Sequence, residues 1–182
     1  MRSQAALAAV ALLTAGILSP SIGSAQGNPS TEQILKSLTP TGNLGTTRGI
    51  RVGPSAGSTQ SQPPAAAPSV NLNVQFATGS AELTPEAIQT LGNLGRALSD
   101  RSLASFRFRI EGHTDTVGSH EYNKDLSDRR AAAVVEYLAN TFHIDRGRVQ
   151  SIGLGEEGLL VPTADQTPEP RNRRVQVVNL GG

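Results

Sequence analysis

The side chains best suited to chemistry lie at the end of a predicted strand and on the helix that follows it. Asp115 supplies a carboxylate at the strand end, and Arg130 supplies a guanidinium from the helix. One anionic and one cationic group on neighbouring elements can flank a small zwitterionic ligand, because each end of such a ligand needs the opposite charge. This combination favours binding over catalysis.

Helical geometry distinguishes Arg130 from its neighbour Arg129. At ~100° per residue the apolar residues of this helix form a stripe about 100° wide, and Arg129 projects roughly opposite that stripe, towards solvent. Arg130 lies only about 40° beyond Val134, at the border of the buried face. The helix therefore predicts one solvated arginine and one half-buried arginine.

Asn123 and Ser127 lie along the same border as Arg130. This polar row faces the loop from His113 to Ser119, so Asp115 and Arg130 are predicted to come within reach of each other. An ordinary salt bridge, worth ~0–1 kcal/mol when exposed, fits this periodicity as well as a ligand site does.

The composition divides the chain of 182 residues into two parts. All six aromatic residues follow Val70, and the stretch before it is poor in charge. The folded domain is therefore predicted at residues 70–182, a common domain size. The net charge of +1 supplies no long-range field for nucleic acid, so no nucleic-acid partner is expected. With no cysteine, the chain has no disulfide, thiolate nucleophile or N-terminal lipid-modified cysteine.

The first 25 residues have the pattern of a secretory signal peptide. Arg2 precedes an apolar run from Ala5 to Leu18, which a Ser-Pro pair ends before the small residues 23–25. Cleavage of residues 1–25 is predicted, and a retained membrane anchor is the alternative.

Residues 26–69 are predicted to be a short amphipathic segment followed by a linker rich in Pro, Gly and Ser. Residues 30–38 predict two turns of helix, too short to be stable without a docking partner. The remainder has too little apolar surface to offset the entropy of ordering. Residues 30–52 are thus a candidate contact for another envelope protein. The region before Val70 lacks the ~10-residue alternating strands of a transmembrane β-barrel, so none is expected.

Beyond Val70 the patterns predict two helices and four strands in the order βαβαββ. The helices are expected near 84–99 and 123–140, and the later strands near 106–111, 149–154 and 174–179. The charged residues of the 106–111 strand are expected to be solvated. This order predicts an α/β fold, a two-layer sandwich with helices on one side of a small mixed sheet, after a disordered N-terminal region.

Five separated motifs in this region resemble the OmpA-like C-terminal domain family over about residues 70–180. The matching stretches are residues 76–83, 112–115 with Gly118, 122–131, 153–156 and 172–175. Members of this family bind the peptide stem of peptidoglycan non-covalently through its diaminopimelate residue. The resemblance therefore implies a non-enzymatic wall-binding domain without cofactor or metal, in the periplasm or cell envelope of a Gram-negative-type bacterium, with outer-membrane association possible.

The resemblance also implies roles for particular residues. Asp115 accepts the ligand's ammonium group and Arg130 binds its carboxylate. Five residues of the loop and helix shape the site. One of two adjacent arginines on the last strand helps to keep the site in its binding geometry. The shaping residues are Thr114, Gly118, Asn123, Leu126 and Ser127, and the arginines are Arg173, taken as the supporting residue, and Arg174.

One departure and two alternatives accompany this interpretation. Ala77 stands where many members have Asp, which predicts reduced affinity. The first alternative is a structural or partner-binding envelope module without wall affinity. The second is a zinc site formed by three side chains of one loop, His113, Asp115 and His120, which is the hypothesis that an enzyme would require.

Overall fold

The computed structural model describes residues 28–40, 67–77 and 79–182. The predicted signal peptide and most of the predicted disordered linker lie outside the described residues. None of the helices in the described part is both long and apolar enough to cross a membrane.

Four strands and three α-helices make up the described fold, together with one short 3₁₀ turn at Arg101–Leu103. In chain order they are α1 Thr31–Leu38, β1 Ser69–Leu72, α2 Pro85–Leu98, β2 Arg107–His113, α3 His120–Phe142, β3 Val149–Gly155 and β4 Val175–Gly181. The sheet order is β1-β4-β2-β3. Strand β4 is antiparallel to both neighbours, whereas β2 and β3 are parallel. The predicted mixed sheet in a two-layer α/β sandwich is confirmed.

One face of the sheet is apolar and packs against the helices. Val70, Val177 and Ile110 are aligned across three adjacent strands, so they share this face. They form one continuous core with buried leucine and valine residues of α2 and α3. This core fixes both helices against the strands that carry the candidate site.

Side-chain caps set where the helices begin. The Thr84 hydroxyl accepts a hydrogen bond from the Ala87 amide at the start of α2, as its capping pattern predicts. Helix α3 begins earlier than predicted, because the Ser119 hydroxyl accepts from the Tyr122 amide. It ends at His143, a C-cap residue with left-handed backbone (φ 54°).

Helix α1 docks on the chain's own domain. Ile34 and Leu38 are fully buried in the common core. The Asn28 side chain donates to the carbonyl of Asn73 (2.9 Å) and accepts from its amide (2.7 Å), and Asn179 donates to the Leu38 carbonyl (2.7 Å). The apolar face predicted to need a partner is therefore covered by the domain itself. Residues 41–52, the rest of the candidate partner segment, lie outside the described residues.

The prediction that the charged residues of β2 are solvated is wrong for Glu111. Arg107 is exposed, but Glu111 is only 6% exposed and accepts from Arg109 Nε at 2.6 Å. The buried side chains of His113 and Arg174 lie close to it and cover this end of the sheet's outer face. Strand alternation identifies the face of a residue but not the loops that cover that face.

The docking of α1 predicts that its core residues stabilise the whole domain. We expect Leu38→Ala to lower the free energy of unfolding by about 2–4 kcal/mol, because a fully buried leucine is replaced by a cavity. Urea unfolding of the full chain measures this effect. Lys36→Ala, on the exposed side of the same helix, serves as the control and should change stability by less than about 0.5 kcal/mol. Equal stability of both variants would show that α1 is detached in solution.

Candidate functional site

Two glycines allow α3 to lie unusually close to the ends of β2 and β3. A Cβ atom on Gly112 would overlap the backbone carbonyl of Ser127, and one on Gly153 would overlap the same turn of the helix. The Ser127 hydroxyl accepts a hydrogen bond from the Gly155 amide at 2.8 Å. The polar border of α3 is thereby held against the edge of the sheet where the 113–119 loop begins.

The loop between β3 and β4 holds the 113–119 loop in place. Thr116 Oγ1 donates to the carbonyl of Ala164 at 2.7 Å. The Gln166 side chain both accepts from the Gly118 amide (3.1 Å) and donates to its carbonyl (2.8 Å). Gly118 has φ of +109°, a backbone conformation that L side chains rarely adopt. These contacts fix the path of the loop that carries Asp115.

The Asp115 carboxylate is largely buried and has defined partners. Its Oδ2 accepts from Arg173 Nη1 at 2.7 Å, and its Oδ1 lies 3.4 Å from the Val117 amide. The backbone carbonyl of Asp115 accepts from Asn123 Nδ2 at 3.4 Å, which ties the loop to α3. The carboxylate is therefore oriented before any ligand arrives.

Arg130 is half-buried, as its position on the helix border predicts. Its Nε donates to the Ser80 carbonyl at 3.0 Å, and its Cζ lies 4.9 Å from the centre of the Phe76 ring, a cation–π contact. Burial lowers the pKa of Arg130 and the charge of Arg173 adds to that change, while Tyr122 and Asp115 oppose it. Arginine is so strongly basic that the guanidinium stays charged at neutral pH. Within the described part of the chain, neither of its Nη atoms has a hydrogen-bond partner, which leaves two parallel donors for a carboxylate.

Asp115 and Arg130 line the same cavity, whose volume is about 490 Å³. They do not form the direct salt bridge that periodicity allowed; the Asp115 carboxylate is paired with Arg173 instead. Thr114, Asn123 and Leu126 line this cavity as well, as does Arg173. The cavity therefore carries separate negative and positive groups on its wall.

The remaining predicted residues lie behind the cavity or away from it. Ser127 is fully buried between α3 and β3, and Gly118 shapes the loop without lining the cavity. Arg174 turns away, donating to Asn71 Oδ1 at 3.1 Å and to the Gly158 carbonyl at 2.9 Å. The two adjacent arginines, which the sequence could not distinguish, thus have different surroundings.

Five residues that were not predicted as site residues also line the cavity: Phe76, Gly79, Val117, Tyr122 and Pro168. Phe76 supports the Arg130 guanidinium, while Val117 and Tyr122 are exposed at 43% and 46% on the cavity wall. The alternation of apolar residues at 72, 74 and 76 with polar ones predicts a strand that reaches Phe76, but β1 ends at Leu72 and Phe76 forms only an isolated bridge with Leu83. Tyr122 could have been found from the sequence as an aromatic residue next to the predicted start of the helix that follows the polar loop.

The three side chains of the alternative zinc site have separate partners. His113 Nδ1 lies 3.0 Å from the Glu157 carbonyl, His120 Nδ1 lies 3.3 Å from Glu156, and Asp115 is paired with Arg173. In the described ranges no three His, Cys, Asp or Glu residues are grouped closely enough to hold a metal ion.

The burial of His113 predicts a pH-dependent stability. Burial, followed by the charge of Arg174, lowers the pKa of His113 below its ordinary value near 6.5. The unfolded chain therefore binds this proton more readily, so the contribution of His113 to stability is constant above about pH 6.5 and falls as the pH decreases from there towards the folded-state pKa. Urea unfolding at pH 7.5 and pH 5.5 should show this loss.

His113→Gln is expected to reduce the difference in unfolding free energy between the two pH values. His120→Gln, which alters a largely exposed imidazole, should leave that difference unchanged and is the control. An identical pH difference in wild type and His113→Gln would contradict the assignment.

Comparison with known proteins places this chain in a family. The model of the OmpA family matches residues 75–173. The chain therefore belongs to the OmpA family.

Similar proteins include envelope proteins of several bacteria. Outer membrane porin F of Pseudomonas aeruginosa is 34% identical over 107 residues, covering 59% of this chain and 30% of that protein. The peptidoglycan-associated lipoprotein of Agrobacterium fabrum is 34% identical, covering 62% of each. The first relatives are thus matched over less than two thirds of their own length.

A solved structure of a MotB-like protein from Desulfovibrio vulgaris is similar in fold as well as sequence. Its TM-score is 0.53 at 32% identity, covering 61% of this chain and 71% of that one. The cell wall anchor of the type VI secretion system from P. aeruginosa has a TM-score of 0.52 at 26% identity, covering 63% of this chain and 81% of that one.

Proposed function

We propose that this chain binds peptidoglycan non-covalently through the diaminopimelate of the stem peptide, and so tethers itself to the cell wall. The observation that carries this proposal is the placement of the Asp115 carboxylate and the Arg130 guanidinium on one cavity without a direct ion pair between them. A zwitterionic amino-acid centre inserted between them satisfies both charges.

In the proposed complex, the ligand's ammonium group donates to Asp115. A carboxylate has about four lone-pair positions, so it can accept from Arg173, from Val117 and from a ligand together. The ligand's carboxylate receives the two Nη donors of Arg130 in a forked contact, for which lysine would offer only a point charge.

Arg173 has two roles in this arrangement. It holds the Asp115 carboxylate in position through its 2.7 Å contact, and it adds positive charge to the cavity wall. Ala77 contributes no carboxylate, and among the described residues that line the cavity Asp115 is the only acidic one. Recognition of the ammonium group therefore depends on Asp115.

The relatives support a role at the cell wall. One is named for its association with peptidoglycan, and the protein in one similar structure is described as a cell wall anchor. A binding role without catalysis fits the site, because its two opposite charges are held in fixed positions, Asp115 by Arg173 and Arg130 by the Ser80 carbonyl. We infer that the protein acts in the periplasm or cell envelope of a Gram-negative-type bacterium, and association with the outer membrane is part of this proposal.

Cosedimentation with isolated sacculi tests this function. The wild-type protein should pellet with diaminopimelate-containing sacculi, and free diaminopimelate should release it. Nα-acetyl-lysinamide, which keeps the side-chain ammonium group but has no carboxylate, is the matched competitor and should release much less. A protein that stays in the supernatant would instead support the alternative, an envelope module that contacts other proteins and has no wall affinity.

A further inference from the structure

We propose that the site has a second compartment that binds another carboxylate of the same stem peptide. This inference rests on the proposed function and extends it. A second cavity, of about 300 Å³, adjoins the first one and shares three wall residues with it: Phe76, Arg130 and Arg173. We call it the basic cavity, lined in addition by residues 73–75, 112–113, 170 and 174–175.

The basic cavity is rich in positive charge. Arg130, Arg173 and Arg174 all line it, and none of the described residues on its wall is acidic. Two acidic groups lie close to its wall: Asp115 of the first cavity pairs with Arg173, and buried Glu111, which is hydrogen-bonded to Arg109, lies behind His113 and Arg174. The positive charge that faces the cavity is therefore mainly that of Arg130 and Arg173. A volume of this size with three cationic side chains favours an anionic group of a few atoms.

The two cavities together carry three arginines and one paired aspartate. A single diaminopimelate centre brings one positive and one negative charge. It therefore leaves the excess positive charge of the two cavities uncompensated. A stem peptide also carries a carboxylate at its C-terminus and another on the glutamate residue that precedes diaminopimelate. Either of these can extend past Arg130 and Arg173 into the basic cavity, so a carboxylate separated by a short stretch of peptide is the complementary ligand.

A second observation is that the basic cavity contains hydrogen-bonding groups whose capacity is not fully used within the described residues. His113 lines it, is 4% exposed, and its Nε2 has no hydrogen-bond partner within the described residues. Gln75 and Asn73 are exposed residues on the same wall. Nδ1 lies 3.0 Å from the Glu157 carbonyl and so carries the proton of the neutral ring, which leaves Nε2 as an acceptor. Because buried polar atoms are rarely left unpaired, Nε2 can accept from a peptide N–H of the ligand, next to the carboxylate that the arginines bind.

Gln75 allows the basic cavity to be altered without changing the first one. It lines the basic cavity only, it is exposed, and its described hydrogen bonds use the backbone carbonyl. Gln75→Glu should weaken binding of a soluble diaminopimelate muropeptide about fivefold at low salt, and Gln75→Lys should strengthen it, because a charge is placed beside the bound carboxylate. Gln89→Glu, an equal charge change at an exposed position of α2, is the control and should leave affinity unchanged.

Calorimetry with three muropeptides identifies the carboxylate. The first has both free carboxylates, the second is amidated at the C-terminus, and the third is amidated at the glutamate. One amidated ligand should bind about fivefold more weakly to the wild type, and for that ligand the effects of Gln75→Glu and Gln75→Lys should disappear. Equal affinity for all three ligands would overturn the second compartment while leaving the proposed function intact. No binding of any of them would overturn both.

Discussion

Loss of peptidoglycan binding is expected when either charge of the first cavity is removed. Arg130→Ala and Asp115→Asn should each weaken binding by about 2–5 kcal/mol, enough to prevent cosedimentation, because each leaves one charged group of the ligand without its partner. Arg130→Lys should recover only part of this loss, because an ammonium group cannot form a forked contact. The pelleted fraction at increasing sacculus concentration measures the effect.

The neighbouring residue Arg129 provides the matched control. It is exposed, pairs with Asp125 one turn earlier at 2.9 Å, and is not among the residues that line the cavity. Arg129→Ala removes the same charge from the chain and should bind sacculi like the wild type. Thermal unfolding must show that all variants remain folded. If folded Arg130→Ala or Asp115→Asn bound sacculi as well as the wild type does, the protein would have to bind the wall through a surface other than this cavity.

A single methyl group at Gly112 is expected to damage both the fold and the site. The Cβ of Gly112→Ala would overlap the Ser127 carbonyl, a backbone atom that cannot move without shifting α3. We expect a loss of about 1–3 kcal/mol in the free energy of unfolding, as for other overpacked positions. Because α3 carries Arg130, affinity for sacculi should fall in the variant molecules that remain folded. Urea unfolding and cosedimentation measure the two effects.

Gly92→Ala is the control, and it should change the free energy of unfolding in the opposite direction. The added Cβ at this helical position meets only the end of the Arg96 side chain, at 3.6 Å. Alanine is favoured over glycine in a helix by about 0.5–1 kcal/mol, so this variant should be more stable than the wild type with unchanged binding. Equal stability of Gly112→Ala and Gly92→Ala would show that the close approach of α3 to the sheet is absent in solution.

Periodicity and caps were sufficient to predict most of the fold. The alternation in β2 and the apolar stripe of α3 predicted the element order and the half-buried position of Arg130, because these patterns record which side of an element is buried. The limits of α3 were missed by a few residues at each end, since the Ser119 cap and the left-handed turn at His143 lie outside the apolar pattern.

The parts that sequence could not predict depend on contacts between distant segments. The pairing of Asp115 with Arg173 joins residues far apart in the chain, and nothing local distinguishes Arg173 from Arg174. Glycine is unfavourable in the interior of a helix such as α2, yet the missing side chain of Gly95 makes room for the Phe142 ring. Likewise, the burial of α1 by its own domain follows from the shape of the finished core.

The most direct test of zwitterion recognition compares two soluble muropeptides that differ only at the third residue of the stem. One carries diaminopimelate, and the other carries lysine, which retains the ammonium group but lacks the second carboxylate. Calorimetry should show at least tenfold tighter binding of the diaminopimelate form, equivalent to about 1.4 kcal/mol, and Arg130→Ala should remove that preference. Equal affinity of the wild-type protein for both muropeptides would contradict the account.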